Sequence, residues 1–386
     1  MSAPWLLLAL LGAEPDGATE AFLRAEVVEV AAVKVAPQGP DDPAWARATP
    51  RQFAISAQRS VHLNDARANA ALPHPGAERL TVRGAASETE LALLLEWSDP
   101  SREALRTDEV NAFADSVAFE MPVRFGPGER LPYVGMGDAQ APVVVTMQRA
   151  TAEGSQLNLF VAAGFGSLTR ATGAPPVKAS MVYDGVTHRC RAVFVRPLDA
   201  EGHSLQAGLV PVAFAVWDGG RGERGGYKQL SGWHYLRMPG RALDPAAVEA
   251  AAFGYHPGDL GDPARGKALV ETVCIACHQL PGKRYAPVGA APDLSDVGAI
   301  ATASYLRDSV AQPSLVVVPN LQLNNHYSRT APPDAWGAYP NAPAYAWGNR
   351  PDGGAVVSKM TVFSTFSPEQ VADIVAFLKT LDGTTP

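Results

Sequence analysis

The sequence predicts two unlike domains: a mainly β N-terminal sandwich over residues 20–240 and an all-α C-terminal domain over residues 262–386, joined by a linker at 241–261. Three observations carry this expectation. The chain has 386 residues, more than one core of ordinary size holds at a soft prior of ~150 residues per domain. Short β-branched or alternating apolar runs, separated by Gly, Pro and Asp, recur up to residue 240 and then stop. Beyond that point apolar residues return at helical spacing, behind helix-start signals.

In chain order, Trp5-Leu6-Leu7-Leu8-Ala9-Leu10-Leu11-Gly12-Ala13 comes first. It falls short of the ~18 residues that span a bilayer but matches the apolar stretch of a secretory signal. Residues 1–18 therefore read as a signal peptide and the protein as periplasmic or otherwise exported, although no Lys or Arg precedes the run and no clean small-x-small site follows it. No other stretch reaches membrane-spanning length, so a soluble mature chain without a span is expected. Strands are expected at 26–30, 79–83, 90–97, 116–121, 142–147 and 192–195, and their number and turn-rich spacing argue for a sandwich or barrel. Residues 242–252 are Ala-rich and poorly patterned, and 254–262 have the Pro/Gly/Asp composition of a linker. Asp262 then reads as an N-cap with Pro263 at the first helical position, opening a helix that carries Leu269, Val270 and Val273. Near the C-terminus, Ser367, Pro368 and Gln370 form a capping box ahead of Val371, Ile374, Val375 and Leu378 at i, i+3, i+4 and i+7. Residues 320–359, polar and spotted with aromatics, read as a long loop.

Acidic residues outnumber basic ones, 39 to 32, and the formal charge of −7 comes with no Lys/Arg run, which excludes nucleic acid as an expected partner. Paired carboxylates in a motif, a nucleophile elbow and a phosphate-cradling glycine loop are all missing from the sequence, so no substrate-handling chemistry is expected of side chains alone. One motif does carry chemistry. Cys274-Ile275-Ala276-Cys277-His278 is the C-x-x-C-H pattern of covalent haem attachment: two thiols three apart reach both vinyl groups, and the adjacent imidazole is held toward the iron. A thioredoxin-like pair would want a βαβ setting and a zinc half-site a second Cys/His pair, and neither context is present.

The sixth iron ligand is expected at the far end of the same domain. Ser358-Lys359-Met360-Thr361 resembles the distal-methionine segment of class I cytochromes c, as do Arg265-Gly266-Lys267-Ala268-Leu269, Ala291-Pro292-Asp293-Leu294 and the closing helix in their placement. The resemblance covers about the last 125 residues and implies His278 and Met360 as the axial pair of haem c, with His326 as the competing ligand.

Three further segments stand out before residue 240. They are Leu94-Leu95-Glu96-Trp97-Ser98-Asp99-Pro100; Asp115-Ser116-Val117-Ala118-Phe119-Glu120-Met121-Pro122 followed by Gly135-Met136-Gly137-Asp138; and Ala213-Phe214-Ala215-Val216-Trp217-Asp218-Gly219-Gly220 leading to Gly222-Glu223-Arg224 and Trp233. Together they resemble the haem-b-binding γ subunit of the ethylbenzene dehydrogenase type, found with molybdenum enzymes of the type II dimethyl-sulfoxide-reductase family. The resemblance implies one non-covalent haem b held between a methionine and a lysine. Met136 sits at the methionine position and Lys228, in Tyr227-Lys228-Gln229-Leu230-Ser231-Gly232-Trp233, in the lysine-bearing stretch. Before residue 240 only Lys34 and Lys178 are other lysines, with Lys178 the runner-up. An amine ligates iron only when neutral, so burial must hold its pKa below the usual ~10.4. Cys190 reads as a buried structural thiol, and His62, His74, His188, His203 and His234 lack ligand spacing.

The sequence thus reads as a periplasmic di-haem electron-transfer protein rather than an enzyme. Its expected partners are the iron–sulfur and molybdopterin subunits of an oxidoreductase complex, or a soluble redox protein. Two other readings stay open at this point: a mono-haem cytochrome c fused to a ligand- or carbohydrate-binding sandwich, and a partner-independent dehydrogenase that uses haem c as electron acceptor.

Overall fold

The computed structural model describes residues 17–58, 78–106, 112–138, 140–164, 167–171, 176–200, 203–255, 261–283, 291–313, 315, 327–328, 357–358, 360 and 366–383. The apolar run at residues 5–13, His62, His74, His326 and nearly all of the loop at 320–359 lie outside the described residues.

The N-terminal region is built from β1 (Val27–Ala32), β2 (Arg51–Ala57), β3 (Glu78–Ala86), β4 (Glu90–Ser98), β5 (Ser116–Pro122), β6 (Val143–Thr151), β7 (Gly154–Ala162), β8 (Thr169–Arg170), β9 (Lys178–Asp184), β10 (Arg189–Pro197), β11 (Leu209–Trp217), β12 (Gln229–Leu230) and β13 (His234–Arg237). Each of the six expected runs overlaps one of these. The strands form a largely antiparallel sheet in the order β8-β7-β6-β5-β11-β12-β2-β3-β4-β10-β9, and β1 adds parallel pairings to both β3 and β13. The sheet folds over itself into a sandwich. Alternation along β5 sends Val117, Phe119 and Met121 into the interior, where Phe119 meets Phe194 of β10 edge to face at 5.1 Å between ring centroids. Gln148 of β6 closes the fold, its amide nitrogen donating to Ser180 O of β9 at 3.2 Å and Val193 O of β10 at 2.8 Å.

Two helices flank the sandwich, α1 (Gly17–Ala25) and α2 (Pro245–Tyr255). The stretch expected as linker, 241–261, therefore holds a helix: Val248, Ala251 and Ala252 are buried against Phe22 of α1 and Tyr235 of β13. Its buried face is made of small residues, which is why no apolar stripe stands out in the sequence.

The C-terminal region is helical: α3 (Pro263–Val273), the single turn α4 (Val297–Ile300), α5 (Ala303–Ala311) and α6 (Pro368–Leu378). Both expected helix starts form. Asp262 Oδ1 accepts from the amides of Ala264 and Arg265, and Ser367 and Gln370 make the reciprocal capping box. Helices α3 and α6 cross at Gly266, where a Cβ would lie 1.9 Å from Asp373 O, so only glycine permits this approach. Arg265 Nε beside it donates to buried Asp373 Oδ2 at 2.7 Å, and Asp262 N donates to Asp373 Oδ1 at 2.6 Å. Among the described residues no helix is long and apolar enough to cross a membrane.

The two regions are not beads on a string. Leu230 and Trp233 of the sandwich share one apolar cluster with Ala299 and Ile300 of the helical region. A Cβ on Gly232 would come within 3.0 Å of Ala299 O.

Candidate functional site

The first site lies where the sandwich's outer face is hollow. The same alternation that points Phe119 inward sends Ala118 and Glu120 of β5, Val145 and Met147 of β6, and Ala213, Ala215 and Trp217 of β11 outward. A cavity of about 510 Å³ opens on this face, lined by Val145, Met147, Phe160 and Trp217 among others. Met136 and Lys228 line it as well.

Met136 is held under strain. Its φ of 85° lies in the left-handed region, rare for a residue with a side chain, and such positions persist only when their surroundings over-determine them. Here the buried carboxylate of Asp138 does so. It accepts two bonds from Arg130, at 2.8 and 2.9 Å, and one each from the amides of Tyr133, Gln140 and Ala141, tying both ends of the loop to one side chain.

Lys228 is buried, and its Nζ donates to Met136 Sδ at 3.6 Å and stands 5.1 Å from the Trp217 ring centroid. Burial pushes its pKa down, opposed by the nearby Glu120 carboxyl, which burial in turn pushes up to about 8. The low-dielectric cavity thus favours the neutral amine, the form with a lone pair. Lys34 and Lys178 are exposed, Lys178 pairing with Glu90 at 3.6 Å. The donor set fits an iron porphyrin: a thioether and a neutral amine in an apolar chamber, with the guanidiniums of Arg149 and Arg224 in its wall for carboxylates.

The second site is assembled on α3. The helix runs into a 3-10 turn at Cys274–Ala276, and the amides of Cys277 and His278 bond back to Cys274 O at 3.1 and 2.9 Å. Cys274 is buried and Cys277 exposed. Buried His278 makes a 2.7 Å bond from Nδ1 to Pro292 O, which puts the ring proton on Nδ1 and the lone pair on Nε2, as in an imidazole that is held by a backbone carbonyl while it binds a metal. Burial lowers its pKa and keeps the ring neutral. The Pro292 carbonyl is the structural reason for the Ala291-Pro292-Asp293-Leu294 segment. Cys274, His278 and Met360 line one cavity, so the sequence-expected axial pair is brought together across 82 residues, 360 − 278. This donor set also fits an iron porphyrin. His326 lies outside the described residues.

Four walls of that cavity come from the sandwich: Pro132, Tyr133, Val134 and Trp233. Sequence reasoning missed Pro132, Tyr133 and Val134, and gave no role to Trp233, Asp138 and Glu120, although all three stand in the segments that carry the resemblance. It also missed a cluster of carboxylates, Asp99, Glu103, Asp115 and Asp218, whose oxygens lie within 4.8 Å of one another where β4, β5 and β11 end or begin. Asp115 accepts from the amides of Glu103 at 2.7 Å and Gly219 at 2.9 Å, which gives the Asp115-Ser116 and Trp217-Asp218-Gly219-Gly220 segments a shared structural task. Burial and the neighbouring Asp99 push the Asp115 carboxyl up to about 8.

The remaining candidates are structural. Cys190 is buried and its thiol raised above the ordinary range by burial. His203 bonds Arg196 at 2.7 Å and Pro122 O at 2.9 Å, and His234 pairs with Glu26 at 2.7 Å.

Comparison with known proteins gives the family of each region. The cytochrome c family model matches residues 263–382. A protein of Haloferax mediterranei named as a respiratory nitrate reductase haem subunit is 30% identical over 207 residues, 52% of this chain and 68% of its own. The chain belongs to the haem-binding γ subunits of type II dimethyl-sulfoxide-reductase-family enzymes. The dimethylsulfide dehydrogenase γ subunit of Rhodovulum sulfidophilum is 29% identical over 210 residues, covering 52% of this chain and 76% of that one. The chlorate reductase γ subunit of Ideonella dechloratans is 34% identical over 168 residues, 42% and 65% of the two chains. As a γ subunit with a cytochrome c domain, this protein has a haem b and a covalent haem c as its cofactors.

Proposed function

We propose that this γ subunit is an exported, periplasmic di-haem electron-transfer subunit of a molybdenum oxidoreductase complex, without catalytic chemistry of its own. In this reading Met136 and Lys228 would hold the haem b iron, Cys274 and Cys277 would tether haem c, and His278 and Met360 would hold its iron. The observation that carries it is the 3.6 Å approach of Lys228 Nζ to Met136 Sδ inside an apolar cavity, from positions 92 residues apart.

Bound iron porphyrin supplies reversible one-electron chemistry at each site. The chain's residues supply the rest. Burial lowers the pKa of Lys228, toward the form that can donate to iron, and Asp138 keeps the Met136 loop strained and in place. Pro292 O fixes the His278 tautomer, and the thiols of Cys274 and Cys277 would hold a vinyl-bearing porphyrin covalently, as thioethers. Partners by this reading are the iron–sulfur and molybdopterin-bearing subunits, with haem c meeting a soluble redox protein or replacing one.

The test is stoichiometric. From protein matured with ample haem, acid–acetone should remove one haem per chain and leave one attached. Recovery of attached haem only would remove the haem b assignment and leave the cytochrome c assignment standing.

A further inference from the structure

The two cavities are lined by the same two pieces of chain. In the loop that carries Met136, Met136 itself faces the first cavity, whereas Tyr133 and Val134 line the second. In the segment that carries Lys228, the lysine lines the first cavity and Trp233 the second. The segments are bonded to each other, Trp233 Nε1 donating to Pro132 O at 2.9 Å, and Trp233 is almost wholly buried. One apolar cluster runs from Met147, Phe160 and Trp217 beside the first cavity, through Val134, Leu230 and Trp233, to Ile300 beside the second. Two residues span at most ~7 Å of extended chain, so the backbone between Met136 and Val134 is a thin partition.

We infer that this partition is the route of electron transfer between the two haems, with Trp233 and Val134 as the matter crossed, so that transfer takes place within one chain. The inference rests on the two-haem reading above. One electron crosses and nothing else moves: as one iron goes from Fe(II) to Fe(III) the other goes from Fe(III) to Fe(II), in whichever direction the potentials favour, with no bond made and no proton exchanged. Val134 and Trp233 act as positioning residues. They fill the space between cofactors with close-packed atoms in place of water, and they fix the separation through the Trp233 to Pro132 bond. A dry, rigid bridge keeps electronic coupling high and reorganisation small.

The experiment uses the full-length holoprotein. After partial photoreduction by a flash, exchange between the b and c absorption bands is followed over a wide range of protein concentration, and pulsed EPR of the oxidised protein reads magnetic coupling between the two irons. A first-order exchange rate independent of concentration, with clear coupling, is expected. Trp233→Ala, which opens a void in the partition, should slow the exchange several-fold with both haems retained, and Trp233→Phe should restore most of the rate. An exchange rate proportional to protein concentration, or two haems per chain without magnetic coupling, would overturn the shared-wall route while leaving the di-haem assignment intact. A preparation with attached haem only would instead sink the reading beneath it. Should Trp233→Ala fail to fold, the concentration series on the unmodified protein decides by itself.

Discussion

The two cofactor sites are built in opposite ways. The helical region gathers both thiols and the imidazole of His278 from five consecutive residues, positioned by one helix end and one bond to the Pro292 carbonyl. The sandwich brings Met136 and Lys228 together from loops 92 residues apart, and neither loop means much alone. A contiguous motif tolerates distortion of its surroundings, because the covalent tether travels with it. A site assembled from distant loops depends on every brace that holds them, so damage to the fold should reach haem b long before it reaches haem c.

That asymmetry can be broken most directly at the amine. Lys228→Ala should abolish or strongly shift the haem b spectrum at unchanged haem c, while Lys178→Ala and Lys34→Ala, at exposed positions, should leave both bands as they are. Acid should act in the same order, since protons compete for the lysine nitrogen and not for a thioether, and a spectrophotometric titration in which haem c changes first would contradict the assignment.

The next effect is on stability. Asp138→Asn leaves Arg130 without its carboxylate and loosens the Met136 loop; because Arg130 is partly exposed and its charge screened, the cost is about 2 kcal/mol, mostly from the weakened bonds to the buried carboxylate. Urea melts followed at the haem b band should shift, with the midpoint at the haem c band far less affected. Equal shifts would mean that the two regions unfold as one. Gly266→Ala is the mirror experiment: overpacking at the α3 and α6 crossing should cost about 1–3 kcal/mol and be felt in the cytochrome c domain first.

The smallest effect is electrostatic and is read at the carboxylate cluster, with buried Glu120 titrating over the same range. Asp115 has a folded-state pKa of about 8, above its unfolded value, so its protonated form is favoured in the fold. Its contribution is fully present in acid, below the unfolded pKa, and fades as pH rises from there through about 8. Thermal melts of the wild type should therefore decline gently over that window. Asp115→Asn should flatten the slope, at a constant cost of about 1 kcal/mol for one weakened backbone bond. A slope unchanged in the variant would place the pH dependence elsewhere.

What was legible in the sequence follows the same division. Helix starts at Asp262 and Ser367 were readable because a cap is a local interaction, satisfied within three residues. Strands with unbroken apolar or alternating runs were readable for the same reason. Others were not: β7 mixes Gln156 and Asn158 into a half-buried strand, and β9 lies at the sheet edge, where burial imposes no pattern. Helix α2 hid behind alanines. Within the sites, Cys274, Cys277 and His278 were visible as spacing, whereas Met360, Met136 and Lys228 were visible only through resemblance. The residues that secure them, Asp138, Pro132 and Trp233, are defined by contacts between loops and leave no periodic trace.

One feature of the sheet governs the order in which this molecule can be made. Strand β1 pairs in parallel with β13, Val27 opposite Tyr235 and Glu29 opposite Arg237. A chain that emerges from its N-terminus cannot complete the sandwich until residue 237 is out, and such distant pairings are slow to form. Lys228 emerges only shortly before that closure, when Met136 has long been exposed. Haem b must therefore enter a nearly finished domain, as a late step of assembly, whereas haem c can be attached to a segment that still has no tertiary structure around it.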